Sequence, residues 1–235
     1  MIFLDAWRRD LKIGILSPIT IQEFIPYLDE FSRKKVKNIT GLHGPSVDVI
    51  VHELLKAGHD IVLFTLDRSI KEIIKLTGER LTIYIGEYRA NNRLRALTFF
   101  FKEIHQLRQC VRIENCDIVH AHWTYEFAIG ALHAKCPVVI TIRDIASKIL
   151  NLHRDTYRLI RWMMDWWVFT HKRNCYFIAN SQYTQKLIRK CHAIDPALIP
   201  NAVNHMFVSC KHREKAADVI ISISNDWDAR KNIDT

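Results

Sequence analysis

The sequence predicts an α/β fold: a parallel sheet with helices on both faces. Three observations predict it. Short runs are nearly continuous in Val, Ile, Leu or Phe, as strands covered on both faces require. Longer stretches with helical periodicity alternate with those runs, which reads as βαβ units. A hydrophobic content of 49% against 25% charged residues is that of an ordinary globular chain with a sizeable core.

Taken in order, strands are expected at 12–17 (KIGILS), 60–66 (DIVLFTL), 81–86 (LTIYIG), 117–122 (DIVHAH), 137–142 (PVVITI), 175–181 (CYFIANS) and 197–203 (ALIPNAV). Helices are expected at about 46–57, 92–114, 125–134, 153–172 and 181–192. Residues 21–40, between the first strand and the first helix, read as a long polar connection, and such connections in compact domains are often binding loops. Residues 1–206 form the first domain on this reading, the polar and basic stretch 207–216 a linker, and 217–235 the incomplete beginning of a second α/β domain.

Thirty-four Lys and Arg against 25 Asp and Glu give a formal net charge of +9, which favours anionic partners without specifying them. Nucleic acid is not favoured, because no helix-turn-helix, RRM or zinc-finger pattern is present. The six cysteines form no CxxC pair, which fits reduced thiols. The N-terminal MIFLDAWRRDLK lacks the charge order and apolar length of a signal peptide, and no apolar run reaches the ~18 residues of a spanning helix. The expected location is the cytoplasm, with attachment to the inner face of the cell membrane as an option.

In a parallel sheet ligands bind at the carboxyl ends of the strands. Gly41 and Gly44 stand in GLHGPS, before a helix opened by Pro45 or Ser46, where backbone N–H groups can approach a ligand. The spacing is GxxG, so the dinucleotide fingerprint GxGxxG is not met and an NAD-binding reading fails. On local residues alone, a plain turn is as good an account. CDIVHAHW puts His120 and His122 on one strand face, with His122 at the carboxyl end. A metal site is rejected because further ligands at suitable spacing are absent. Arg143 and Asp144 end the strand PVVITI as a local ion pair or as charges facing a cleft. Nucleophile elbows and P-loops are missing, which leaves hydrolase and kinase readings without support.

Helix 153–172 carries Arg154, Arg158, Arg161, Asp165 and Lys172 as a polar stripe, with Trp162, Met163, Trp166 and Phe169 on the apolar side. Helix 92–114 repeats the pattern, with Arg95, Lys102 and Arg112 opposite Leu97, Phe100, Ile104 and Leu107. Ordinary packing on the sheet explains either helix alone; the two together suggest an anionic membrane surface met by Arg154, Arg158, Arg161, Trp162 and Trp166.

The ordered set GLHGPSVDVIVHELLKAGHDIVLFTL, CDIVHAHW, PVVITIRD, YFIANSQYTQKLI, LIPNAVN and VIISISNDWDARKNIDT resembles the landmarks of the GT-B glycosyltransferases of family 4. The resemblance implies two Rossmann-like domains facing a cleft, with the acceptor bound by the first and a nucleotide-sugar donor by the second. It implies retaining transfer without a bound metal, to a lipid-linked or polysaccharide acceptor, as in polysaccharide biosynthesis. It assigns His122 to catalysis at the donor sugar, and Gly41, Gly44, Arg230 and Lys231 to donor binding. His43, Arg143, Asp144, Ser181 and Asn201 become acceptor or cleft residues. The chain departs from the family pattern at Ala202 and Asn204, where PNGVD is common, at Arg143, where many members have histidine, and at Asn232, where glycine often follows the lysine. The paired glutamates of the donor domain have no counterpart, so the expectation is a truncated acceptor half, inactive alone and in need of a donor-domain polypeptide. The alternative is a non-catalytic remnant that docks on a membrane or a partner.

Overall fold

The computed structural model describes residues 10–36, 38–172 and 174–209. Eight strands form one sheet in the order β3-β4-β2-β1-β5-β6-β7-β8. They are β1 (Lys12–Leu16), β2 (Asp60–Asp67), β3 (Ile74–Thr77), β4 (Leu81–Glu87), β5 (Ile118–His122), β6 (Val138–Ile142), β7 (Cys175–Ala179) and β8 (Ala197–Leu198). Every pairing is parallel except β3 with β4. Six of the seven expected strands are present, and the seventh, expected at 197–203, is reduced to Ala197–Leu198; β3 is additional, a four-residue edge strand whose IKLT is too short to announce itself.

Alternation along the strands divides the core in two. Ile13, Ile15, Ile61, Leu63, Ile83 and Ile85 face one cluster, where α2 (Pro45–Lys56) covers them with Val47, Val51 and Leu55. Leu16, Val62, Phe64, Val119, Ile140 and Phe177 face the other. That side is covered chiefly by α4 (Phe101–Ile113), α5 (Glu126–Ala131) and α7 (Thr156–Thr170). Both faces are thus buried, which is why the strands read as unbroken apolar runs.

Three expectations are corrected. Residues 21–40 are not a polar loop: they form a 3-10 helix, Ile21–Tyr27, and α1 (Glu30–Lys35), and they bury Ile21, Phe24, Leu28, Val36 and Ile39. Ile21, Phe24 and Leu28 stand at i, i+3 and i+7, a helical spacing interrupted by Pro26 and surrounded by charged residues, so the segment reads as polar. The expected helix 92–114 is two, α3 (Asn92–Leu97) and α4, separated by Phe99 and Phe100 in the left-handed region at φ 48° and 55°. The break turns Phe100 fully into the core beside Tyr157. The expected helix 153–172 is preceded by a separate α6 (Ala146–His153), which ends at Arg154 in the left-handed region, before Asp155 caps α7 by accepting from the Arg158 N–H. α8 (Gln182–His192) and α9 (His205–Val208) complete the described residues. Arg230, Lys231, the strand expected in 217–235 and most of the 207–216 linker lie outside the described residues.

Candidate active site at the carboxyl edge of the sheet

The chain leaves β1 toward β2 on one side and reaches β5 on the other, so the order reverses beside β1. A crevice opens at such a switch point. Four segments meet there: the loop Gly41–Gly44 with the start of α2, the ends of β5 and β6, and the stretch after β8.

The glycine loop is shaped by close backbone approach. A Cβ on Gly41, which has φ 81°, would overlap the Ile19 carbonyl oxygen, and one on Gly44 would overlap that of Pro18. The Gly41 N–H donates to Asp67 Oδ2 at 2.8 Å and the His43 N–H to the Ile19 carbonyl at 3.1 Å. Those two amides are spent inside the protein, so the loop's first contribution is to fix the start of α2. His43 itself is exposed and left-handed, at φ 57°. No side chain caps α2, whose Gly44 carbonyl accepts from Val47 and Asp48.

His122 is fully buried at the end of β5. Its Nδ1 accepts from Arg143 Nη2 at 3.0 Å and Nε at 3.3 Å. Burial, then the adjacent His120 and the Arg143 cation, hold its pKa well below the ordinary histidine value. His120, whose ring centroid is 4.2 Å away, bonds Thr141 Oγ1 through Nε2 at 2.7 Å and is pushed down to about 4, by burial first and Arg143 second. Arg143 also donates through Nη1 to Ser46 Oγ at 2.8 Å and to Asn201 Oδ1 at 2.9 Å. One guanidinium therefore ties the ends of β5 and β6 to the start of α2 and to the segment after β8. It makes no ion pair among the described residues, and burial lowers its pKa to about 10.

Beside this group lies a cavity of about 220 Å³ lined by Pro18, Leu42, Arg68, Tyr88, Trp123 and Arg161, among others. Arg161 is not on the outer stripe of its helix. Its Nη1 bonds Glu126 Oε2 at 2.6 Å, and its guanidinium stacks 3.5 Å over Tyr125. Asp165 does not pair with it along the helix; it accepts from Thr124 Oγ1 and is buried. Phe169 is buried too, while Leu159, Trp162, Met163, Trp166 and Trp167 face outward. Of the expected membrane-surface residues, Arg154, Trp162 and Trp166 are exposed, whereas Arg161 turns inward to the buried carboxylate of Glu126. Arg95 is likewise buried, 3.9 Å over the Tyr88 ring.

Of the expected site residues, the structure gathers His122, Arg143, Asn201 and the Gly41–Gly44 loop. Asp144 turns to Tyr125, whose hydroxyl donates to it at 2.9 Å. Ser181 caps α8, accepting from the Thr184 N–H at 3.1 Å. Sequence reasoning missed Arg68, Tyr88 and Glu126 as lining residues; Arg68 and Tyr88 directly follow β2 and β4, so the strand-end rule could have found them. Among the described residues no group of three or more His, Cys, Asp or Glu side chains could hold a metal ion, and no helix is long and apolar enough to cross a membrane.

This sheet is the N-terminal half of a GT-B glycosyltransferase fold. The chain belongs to Glycosyltransferase Family 4, whose pattern matches residues 44–207. Similar solved structures include a sucrose-phosphate synthase from Thermosynechococcus elongatus, with TM-score 0.54 and 13% identity over 83% of this chain and 49% of that one. An α,α-trehalose 6-phosphate synthase from Burkholderia multivorans has TM-score 0.52 and 9% identity over 86% and 51%. A UDP-forming α,α-trehalose-phosphate synthase from Burkholderia vietnamiensis has TM-score 0.51 and 10% identity over 81% and 48%. The chain spans about half the length of each. No curated protein matches it.

Proposed function

We propose that this chain is the acceptor-side half of a retaining glycosyltransferase, which passes a sugar from a nucleotide-sugar donor to a lipid-linked or polysaccharide acceptor. The observation that carries the reading is the convergence on Arg143 of His122, Ser46 at the start of α2, and Asn201, at the switch point of the sheet. Here His122 meets the donor sugar, and the cavity beside Trp123 and Tyr88 receives the acceptor, since aromatic faces suit sugar rings. Gly41 and Gly44 set the wall near the donor phosphates. Arg230 and Lys231 would bind the diphosphate, where cations stabilise a leaving group as charge develops. No protein-bound metal is required on this reading.

The outer face of α7 supports a peripheral location at the inner face of the cell membrane. Trp162, Met163, Trp166 and Trp167 are exposed on it, and Leu97, Arg93 and Arg158 line one adjoining cavity of about 710 Å³. Apolar and cationic groups side by side match an anionic lipid surface.

The test is transfer of labelled sugar from a panel of nucleotide-sugars to lipid-linked and glycan acceptors. It is run with the 235-residue chain alone and with a donor-domain polypeptide of the family added. Transfer only in the second case is expected. Efficient transfer by the chain alone would overturn the two-part reading, and no transfer in any combination would count against the enzyme.

A further inference from the structure

Three observations bear on which nitrogen of His122 carries its proton. A guanidinium has donors and no acceptor, and two of the Arg143 N–H groups converge on the same ring nitrogen, Nδ1, at 3.0 and 3.3 Å. His122 Nε2 is buried and has no hydrogen-bond partner among the described residues, a rare condition for a polar atom inside a protein. The neighbouring His120 ring is not its partner either; the His120 Nε2 is bonded to Thr141 Oγ1 at 2.7 Å.

We propose that Arg143 is a positioning residue that holds the His122 ring in the tautomer with its proton on Nε2, so that His122 acts as a hydrogen-bond donor to a substrate oxygen. Nδ1 must offer its lone pair to the guanidinium, and a proton placed there would set donor against donor. Arg143 is itself fixed by two neutral acceptors, Ser46 Oγ and Asn201 Oδ1, and among the described residues no carboxylate pairs with it. Burial opposes protonation of His122 most, and the His120 ring and the Arg143 cation add to it. The ring is thereby kept from serving as a general base at Nδ1, and its one free function is the N–H at Nε2. That the oxygen belongs to a sugar or a phosphate rests on the proposed function; the tautomer does not.

Nitrogen-15 NMR of the full chain labelled at histidine tests this, with the His122 signals assigned by their loss in His122→Gln. Nδ1 is expected to be unprotonated and Nε2 protonated, without titration between about pH 5 and 8. Arg143→Gln, whose amide can still donate to Nδ1, should keep that pattern, and Arg143→Met should give a mixture of tautomers. A wild-type proton on Nδ1 would overturn the proposal, and so would an Arg143→Met chain with the wild-type pattern. If Arg143→Met does not fold, the wild-type spectrum and Arg143→Gln decide. Sugar transfer that fails in every combination, in a chain with the expected tautomer, would remove the transferase and leave this role of Arg143 standing.

Discussion

Single residues at this site carry opposite pH dependences. An unfolded histidine titrates near about 6.5, and burial holds folded His120 at about 4. Between those values the unfolded chain binds more protons, so stability falls as pH drops through the window, by up to about 1.4 kcal/mol per pH unit for each such histidine. His122 adds to the same side. Asp165 works the other way: burial raises its carboxyl to about 7 from 3.8, so its contribution is lost as pH rises across that range. Urea midpoints measured across pH should show a shallower acid slope for His120→Gln. Asp165→Asn should be more stable than the wild type above pH 7, by an amount on the order of a few kcal/mol. A different mechanism governs Gly44. Its φ of −152° is negative and open to other residues, yet the Pro18 carbonyl leaves no room for a Cβ. Gly44→Ala should therefore cost about 1–3 kcal/mol and move the start of α2, measured by the same denaturation series.

At the scale of one element, α7 has two faces with different work. Its inner face holds Arg161 against Glu126, whose side chain is only 5% exposed. Arg161→Ala would strand that carboxylate without its partner, and a loss of about 3–5 kcal/mol is expected in urea unfolding. The double variant Arg161→Met, Glu126→Gln should recover much of it, since neither charge then needs compensation. The outer face contributes less to the fold. Trp162→Ser with Trp166→Ser should cost about 1–2 kcal/mol per site, since both rings are half-exposed, and the chain should stay folded. The same pair should abolish co-sedimentation with vesicles of anionic lipid. Arg154→Gln with Arg158→Gln should weaken binding most at low salt, where screening is least. Binding of the wild type that ignores both salt and lipid charge would sink the membrane contact.

Across the whole molecule, the proposed function makes the sheet one wall of a cleft, and the chain spans about half of each similar solved structure. With a donor-domain polypeptide supplied, His122→Ala should lower kcat/KM by roughly 100-fold, a loss of about 2.7 kcal/mol in transition-state stabilisation. Asn201→Ala removes one of the two neutral acceptors of Arg143 Nη1 and loosens the cation without discharging it. A smaller fall, about 10-fold, is expected in the same assay.

The amino-acid sequence by itself determined the α/β class and six of the eight described strands, with only the start of a seventh, because burial on both faces imposes runs of apolar residues that need no partner to be read. It also marked His122 and Arg143, since a strand's end is visible where its apolar run stops. What it left open was the direction in which charged residues turn. Arg161 and Arg95 look solvated on a helical wheel, and only tertiary packing brings Glu126 and the Tyr88 ring to them. Contacts across 97 and 58 residues, from Arg143 to Ser46 and to Asn201, likewise have no local signature. Apolar periodicity is a one-dimensional property set by the solvent boundary. Charge pairing and the tautomer of His122 depend on which distant groups the fold delivers, and only the assembled sheet decides that.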